Sequence, residues 1–284
     1  MNPTLFDYEK AKSIYYSICH EVPTSITPYL SGLGNVLFLI DNQIVVRLKK
    51  TYDQKIDHLE NEKRTFLLAS ESHLSPQLIS FYENGDAIYR KDDGEPFLSS
   101  STDINLLTEI GRFLKSFHSL PKSEVSPFDA KKHFDFYKAE AKISLSLHPK
   151  EMEIRSFVEK EIDQCNSVLS HNDIVHGNLL KNGSSFCLID FEYAGTNSPY
   201  FDLASLLSEN QMEKNEQKVA LLKGYFGNVA DLDIKKCDYF IAYEDLLWAY
   251  WALARWNKTK NIAFQSIYKE KREAITLHAD SLFL

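Results

Sequence analysis

The chain lacks a C-x-x-C pair, a basic excess and a long uncharged apolar run, and each absence removes a class of protein. Its four cysteines, Cys19, Cys165, Cys187 and Cys237, lie far apart, which argues against a zinc ribbon or a disulfide scaffold and fits reduced thiols in a cytosol. The formal charge is -8. An acidic chain has no surface for displacing counterions from nucleic acid or anionic lipid, so neither is expected as a partner, and a cationic ligand suits the charge better. No uncharged segment approaches the roughly 20 residues that span a bilayer, and Asp7, Glu9, Lys10 and Lys12 fall where a secretory signal needs apolar residues. No membrane insertion and a cytoplasmic location are expected. With only 10 glycines and 9 prolines in 284 residues, a fibrous or low-complexity chain is also excluded.

What is present is an ordinary globular mixture, 44% hydrophobic and 25% charged. The length exceeds that of a usual single domain, so one large domain or two lobes is the natural expectation. Residues 8 to 20 read as a short helix. In YLSGLGNVLFLIDNQIVVRLKK, residues 29 to 50, two β-branched apolar runs flank Asp41 and Asn42, the pattern of a hairpin. Leu59, Glu62, Phe66 and Ala69 recur at helical spacing until Pro76 interrupts, and LISFYENGDAIYR reads as a second hairpin turning at Asn84 and Gly85. KDDGEPFLSSST, residues 91 to 102, has the composition of a connector. Beyond it Ile104, Leu107, Ile110, Leu114 and Phe117 line a helix face, and residues 134 to 168 suggest further helices. Loop and strand return around residues 169 to 195 before helices resume from Phe201. There is no internal repeat.

The stretch LSHNDIVHGNLLKNGSSFCLIDFEYAG, residues 169 to 195, carries the chemistry. FCLID reads as a buried strand ending in Asp190, with Asp173 and Asn178 in a loop upstream. Phosphoryl transfer needs a carboxylate to orient the attacking hydroxyl and oxygen ligands for the magnesium that neutralises phosphate charge. The protein-kinase pattern HRDxxxxN uses the interval found between Asp173 and Asn178, and Asp190 takes the place of the following metal-binding carboxylate. Singly, each of the three also reads as a turn or strand-end residue. Their order, and the parts upstream, tell against that bland reading. SGLGN, residues 31 to 35, offers Gly32 and Gly34, whose lack of side chains lets backbone amides and Asn35 approach phosphate oxygens. Arg47 lies where the kinase fold sets its phosphate-binding cation, with Glu62 on the next helix placed to pair with it.

These residues resemble the choline/ethanolamine kinase family, a branch of the kinase-like fold that also includes aminoglycoside phosphotransferases. HNDxxxGN, residues 171 to 178, resembles the family's catalytic loop, and LIDFEYAGTNSPYFDLA, residues 188 to 204, its metal-binding segment. ENEKRTFLLASESHLSPQLISFYENG resembles the N-lobe helix and strand, with Glu62 at the ion-pair position and Pro76 at a characteristic proline. The resemblance covers most of the chain. It implies an α+β, two-lobed protein-kinase-like fold: a small β-rich N-lobe over residues 1-91 and a larger, mainly helical C-lobe over residues 92-284. It implies ATP as phosphoryl donor, Asp173 as catalytic base, and Asn178 and Asp190 as magnesium ligands. Adenine would lie near Tyr89 to Lys91 and the phosphates under residues 31 to 35. Asp202 would brace the catalytic loop, and His171 would organise it.

For the acceptor, Trp248 and Trp251 sit three apart on a helix and share a face, and Trp251 to Tyr268 repeats a spacing of choline kinases. A quaternary ammonium donates no hydrogen bond and is held by ring faces and nearby carboxylates. Tyr193, Trp248, Trp251 and Tyr268 would form that cage, with Glu209 and Glu192 adding negative potential. An aromatic core stripe is the competing reading of the same residues. The resemblance thus implies phosphorylation of choline to phosphocholine, for lipid synthesis or surface-polymer decoration. Ethanolamine kinase, an aminoglycoside phosphotransferase and a catalytically silent nucleotide-binding scaffold are the alternatives. Two departures stand out: Gly34 where relatives often carry serine, and His176 in place of an acidic residue before Gly177 and Asn178.

Overall fold

A computed structural model describes residues 3–29, 34–50, 58–97, 103–212 and 214–283. Gly32 lies outside the described residues. The first helix, α1 (Leu5–Cys19), begins before residue 8 because Thr4 and Asp7 close a capping box: the Asp7 amide donates to Thr4 Oγ1 at 3.3 Å and the Thr4 amide donates to Asp7 Oδ2 at 2.9 Å. Five antiparallel strands follow, β1 (Ile26–Tyr29), β2 (Asn35–Ile40), β3 (Ile44–Lys49), β4 (Leu78–Phe81) and β5 (Ala87–Arg90), ordered β1-β2-β3-β5-β4. Both hairpins read from the sequence are present. Asp41 and Asn42 take the left-handed conformation between Ile40 and Ile44, and Gly85, at φ 84°, turns the chain before β5. Helix α2 (Leu59–Glu71) connects β3 to β4.

β3 does not alternate apolar and polar residues because both its faces are covered. Val46 and Leu48 join Phe38, Ile40, Ala11 and Tyr15 in a buried cluster beneath α1. On the other face Arg47 and Lys49 point away from that cluster, two residues apart as the strand period requires.

After β6 (Glu95–Pro96) the chain becomes helical, with α3 (Ile104–His118), α4 (Ala130–Ala141) and α5 (Glu151–Gln164). The expectation of helix through residue 168 fails at its end, since Val168 opens β7 (Val168–Ser170). The hairpin β8 (Leu179–Asn182) and β9 (Ser185–Leu188) pairs with β6, whereas β10 (Gly195–Asn197) pairs with β7. Helices α6 (Pro199–Glu209), α7 (Asn215–Phe226), α8 (Asp231–Thr259) and α9 (Ile262–Ser281) complete the chain. Helix α6 starts two residues before Phe201 because Ser198 caps it and Pro199 is preset for a first helical turn.

The chain divides into two compact units. The first comprises Met1–Phe97, Ser123–Val125 and Asn178–Ala194 and is rich in strands; the second comprises Leu98–Lys122, Ser126–Gly177 and Gly195–Leu284 and is mainly helical. This is the α+β, kinase-like composition expected from the sequence. In the second unit α3 and α7 approach so closely that a Cβ at Gly111 or Gly224 would collide with the opposing backbone, at Leu221 and Thr108.

Candidate active site

In the first unit a row of charges, buried at Arg47 and Glu62 and half-buried at Asp190 and Glu192, runs from β3 to the end of the β8–β9 hairpin. Arg47 Nη1 lies 2.5 Å from Glu62 Oε1, and Lys49 Nζ lies 3.0 Å from Glu62 Oε2. The row extends from Arg47 to Asp190 Oδ1 at 3.6 Å and from Lys49 to Glu192 Oε2 at 3.5 Å. Arg47 also donates to Gly85 O at 2.9 Å and covers the Phe81 ring. Burial opposes its charge, but Glu62 and Asp190 outweigh that cost and hold Arg47 above its ordinary value; Glu62 and Glu192 do the same for Lys49. Burial, with Asp190 nearby, pushes Glu192 up to about 7.

Asp190 follows β9 in a left-handed conformation, φ 64°, a position costly for a residue with a Cβ. Its Oδ1 is buried and accepts no hydrogen bond among the described residues. Asn178 stands beside it, because Ile189 N donates to Asn178 O at 3.0 Å and extends the β8–β9 register by one pair. The structure therefore brings Arg47, Glu62, Asn178 and Asp190 together. Gly34 and Asn35 join them through β2: Lys50 N donates to Gly34 O at 3.2 Å, and Asn35 opposes Lys49. Tyr89 packs edge-on against Phe66, with ring centroids 5.4 Å apart, and Phe66 in turn meets Phe191. Lys91 is tied to Asp93 at 2.7 Å. Tyr193 is half-buried in the same unit.

Among the described residues no cluster of three or more His, Cys, Asp or Glu side chains has the form of a metal site. Asn178 and Asp190 nevertheless fit magnesium: both offer oxygen, and Asp190 Oδ1, 3.6 Å from Arg47, accepts no hydrogen bond among the described residues. Magnesium is commonly held by one or two carboxylates completed by water and phosphate oxygens.

In the second unit the loop after β7 is held by Asp202 near the start of α6. His171 N and Asn172 N donate to its two carboxylate oxygens at 2.8 and 2.6 Å, and His118 Nε2 meets Oδ2 at 2.9 Å. His118 Nδ1 contacts Tyr225 Oη at 2.8 Å. Burial raises the cost of the Asp202 charge, but His118 and the loop amides more than compensate, leaving its carboxyl below the usual range. Asn172, at φ 64°, accepts from Asn197 Nδ2 at 2.8 Å, and Ile174 N donates to Ser205 Oγ at 3.0 Å. Half-buried Asp173 thus sits between two anchored residues.

The same unit holds the aromatic residues of α8 and α9. Trp248 and Trp251 meet edge to face, with centroids 6.1 Å apart at 90°, and Trp251 meets Phe264 at 5.4 Å. Tyr268 is half-buried on α9. Glu209 does not present a lone charge: Lys271 Nζ lies 2.6 Å from it, and also 2.9 Å from Asp245 and 3.2 Å from Ser208 Oγ. His278 Nδ1 holds the other oxygen of Asp245 at 2.6 Å.

The family model of the phosphotransferase enzyme family matches residues 25–234, most of the chain. The chain belongs to that family. Among its relatives, a probable ethanolamine kinase A of Dictyostelium discoideum is 27% identical, over 63% of this chain and 58% of that protein. Choline kinase B1 of Caenorhabditis elegans is 26% identical, over 65% of this chain and 57% of its own length. Matches to the curated relatives span 36% to 58% of their lengths. In fold, the chain is similar to a choline/ethanolamine kinase family protein of Mesorhizobium loti, with a TM-score of 0.78, 20% identity, and coverage of 95% of this chain and 94% of that one. No helix among the described residues is long and apolar enough to cross a membrane.

Four residues in these clusters escape a reading by motif: Lys49, His118, Glu244 and Lys271. Lys49 had a signal, since strand period puts it on the face of Arg47. His118, Glu244 and Lys271 belong to no motif, and the groups facing them lie on other helices or, for Glu244, include such groups.

Proposed function

We propose that the protein transfers the γ-phosphoryl group of ATP to the hydroxyl of choline, giving phosphocholine and ADP. The observation that carries this reading is the buried Arg47–Glu62 pair beside an Asp190 oxygen that has no hydrogen-bond partner. A structural ion pair has no use for an adjacent carboxylate oxygen held 3.6 Å from its cation without a hydrogen bond, whereas a phosphate and metal site does. Nucleotide-binding roles are assigned to residues 1-91, through Gly32, Gly34, Asn35, Arg47, Glu62, Tyr89 and Lys91, together with Asn178 and Asp190. Asp173 and the acceptor groups are assigned to the remainder of residues 92-284, with Tyr193 added to the cage.

In this reading Asp173 orients the choline hydroxyl and takes its proton as the oxygen attacks the γ-phosphorus. The Asp202 brace keeps that carboxylate from drifting, which matters because orientation supplies much of the rate. Arg47 offers a planar fork to phosphate oxygens, and Glu62 fixes where the fork points. Magnesium on Asn178 and Asp190 would neutralise charge on the phosphates during transfer.

Choline is favoured over ethanolamine by the state of Glu209. A primary ammonium wants directed acceptors, and Lys271 already occupies that carboxylate, whereas a quaternary ammonium needs ring faces such as those of Trp248 and Trp251. Ethanolamine is the second reading, favoured by the 27% identity to a probable ethanolamine kinase. The same proposal takes the protein as cytoplasmic and its phosphocholine as serving lipid synthesis or surface-polymer decoration. The test is ADP release with ATP and magnesium, with choline and ethanolamine in competition. Choline-dependent release with the lower KM for choline is expected; a preference for ethanolamine overturns the choline reading, and release with neither overturns the kinase reading.

A further inference from the structure

Glu244 lies on α8 four residues before Trp248 and seven before Trp251, the spacing that places side chains on one stripe of a helix. It is fully buried, and among the described residues neither of its carboxyl oxygens has a hydrogen-bond partner. Buried carboxyls ordinarily find a donor, so two unsatisfied oxygens on the tryptophan stripe are a cost that a purely structural role leaves unexplained.

The charged groups facing Glu244 are Glu209 and Asp202 on α6, Lys271 on α9 and its own neighbour Asp245. None supplies a donor. The three N–H bonds of Lys271 are matched by Glu209, Asp245 and Ser208, while Asp245 is held on its other oxygen by His278. Asp202 is taken by His118 and two loop amides. Burial first, and then the charge of Glu209, push the Glu244 carboxyl well above its usual range, with Lys271 only partly opposing them. A fully buried carboxyl with no donor on either oxygen among the described residues is favoured in its neutral form. Among the described acidic groups of this corner, Glu244 has no cation or donor on either oxygen.

We propose that Glu244 is a specificity-determining residue for a cationic acceptor, a carboxyl on the Trp248 stripe that ionises when an ammonium group reaches the tryptophans. The inference rests on the acceptor reading above and deepens it. On binding, the O–H bond of the carboxyl breaks, the proton passes to the buffer, and the positive charge of the acceptor takes its place. A quaternary ammonium gains most from such a group, because it needs negative potential through space and has no hydrogen to direct at an acceptor. An uncharged alcohol gains nothing from it. Glu209, neutralised by Lys271, cannot supply the same charge without breaking its pair.

The test is calorimetric titration of choline into the full chain, without ATP, in phosphate and in Tris at pH 7. The difference in heat between the two buffers reports protons released. The wild-type protein should release a substantial fraction of one proton per choline bound, and Glu244→Gln should release far less. Because Gln matches the size and neutrality of the protonated carboxyl, the variant should keep its Tm and its KM for ATP. Its KM for choline should rise about tenfold, the equivalent of one pKa unit of coupling. Choline binding with buffer-independent heat in the wild-type protein overturns the inference without recourse to any variant. So does a Glu244→Gln protein that retains both proton release and KM. Absence of any choline binding overturns the acceptor reading itself, and the two failures are told apart by whether binding heat is present.

Discussion

In the first unit two cations share one carboxylate; in the second, two carboxylates share one cation. Glu62 lies within 3.0 Å of both Arg47 and Lys49, whereas Lys271 lies within 2.9 Å of both Glu209 and Asp245. In the first cluster both cations close on Glu62, while Asp190 and Glu192 stand farther from them at 3.6 and 3.5 Å, an arrangement that suits a phosphate. The second has carboxylate in excess of its cation, with a further carboxyl at Glu244, the arrangement that suits an ammonium. Two buried clusters of similar chemistry are thus biased toward ligands of opposite sign by which charge is duplicated.

That contrast breaks first at Asp173, which the proposed division makes the reacting group of the second unit. Asp173→Ala should lower kcat by about 10²–10⁴-fold, the usual share of general acid–base chemistry, with little change in ATP affinity measured by fluorescence titration. A parallel loss of ATP affinity would erase the division of labour. Next in size is Lys271→Met, which takes the cation from Glu209 and leaves Asp245 to His278 and Ser208; it should cost about 3–5 kcal/mol in denaturant unfolding. Arg47→Met leaves Glu62 paired with Lys49, so its cost should be smaller while its KM for ATP rises. The reverse order of stabilities would show that the clusters are not balanced as drawn. Trp248→Ala should raise the KM for choline by the equivalent of about 0.5–2 kcal/mol and leave the KM for ATP alone, separating cage from core stripe in steady-state kinetics.

The smallest effect concerns acid stability in the first unit. Asp7 is lowered from 3.8 to about 2: burial opposes ionisation, but hydrogen bonds from Lys50 and Thr4 outweigh it. A depressed folded-state pKa contributes stability that is fully present above pH 3.8 and is lost as pH falls through about 2. Asp7→Asn should therefore flatten the dependence of Tm on pH between about pH 4 and 2, followed by thermal melts. An unchanged slope would remove Asp7 from the acid response.

Much of the frame was legible in the sequence. Apolar runs around Asp41–Asn42 and Asn84–Gly85 announced the two hairpins, since local turn chemistry and strand period act over a few residues. The spacing of Ile104, Leu107, Ile110, Leu114 and Phe117 announced α3. Element ends were less legible: the Thr4 cap extended α1, and Val168 left the helical run for β7 to pair with β10. Arg47 and Glu62 were legible as a pair because strand and helix follow one another in the chain. His118 was not, because the Asp202 it holds lies 84 residues away on another helix.

By itself the sequence determined the α+β order of elements, the positions of Asp173, Asn178 and Asp190 at the ends of apolar runs, and the shared helical face of Trp248 and Trp251. These follow from periodicities of two and 3.6 residues, which operate within a single segment. Only the tertiary structure decided that Glu209 pairs with Lys271, that Lys49 joins Arg47 on Glu62, and that Glu244 is buried with no donor among the described residues. The choice of partner for a buried charge depends on which helices and strands pack together, and no local spacing encodes the few ångströms that separate a satisfied carboxylate from an orphaned one.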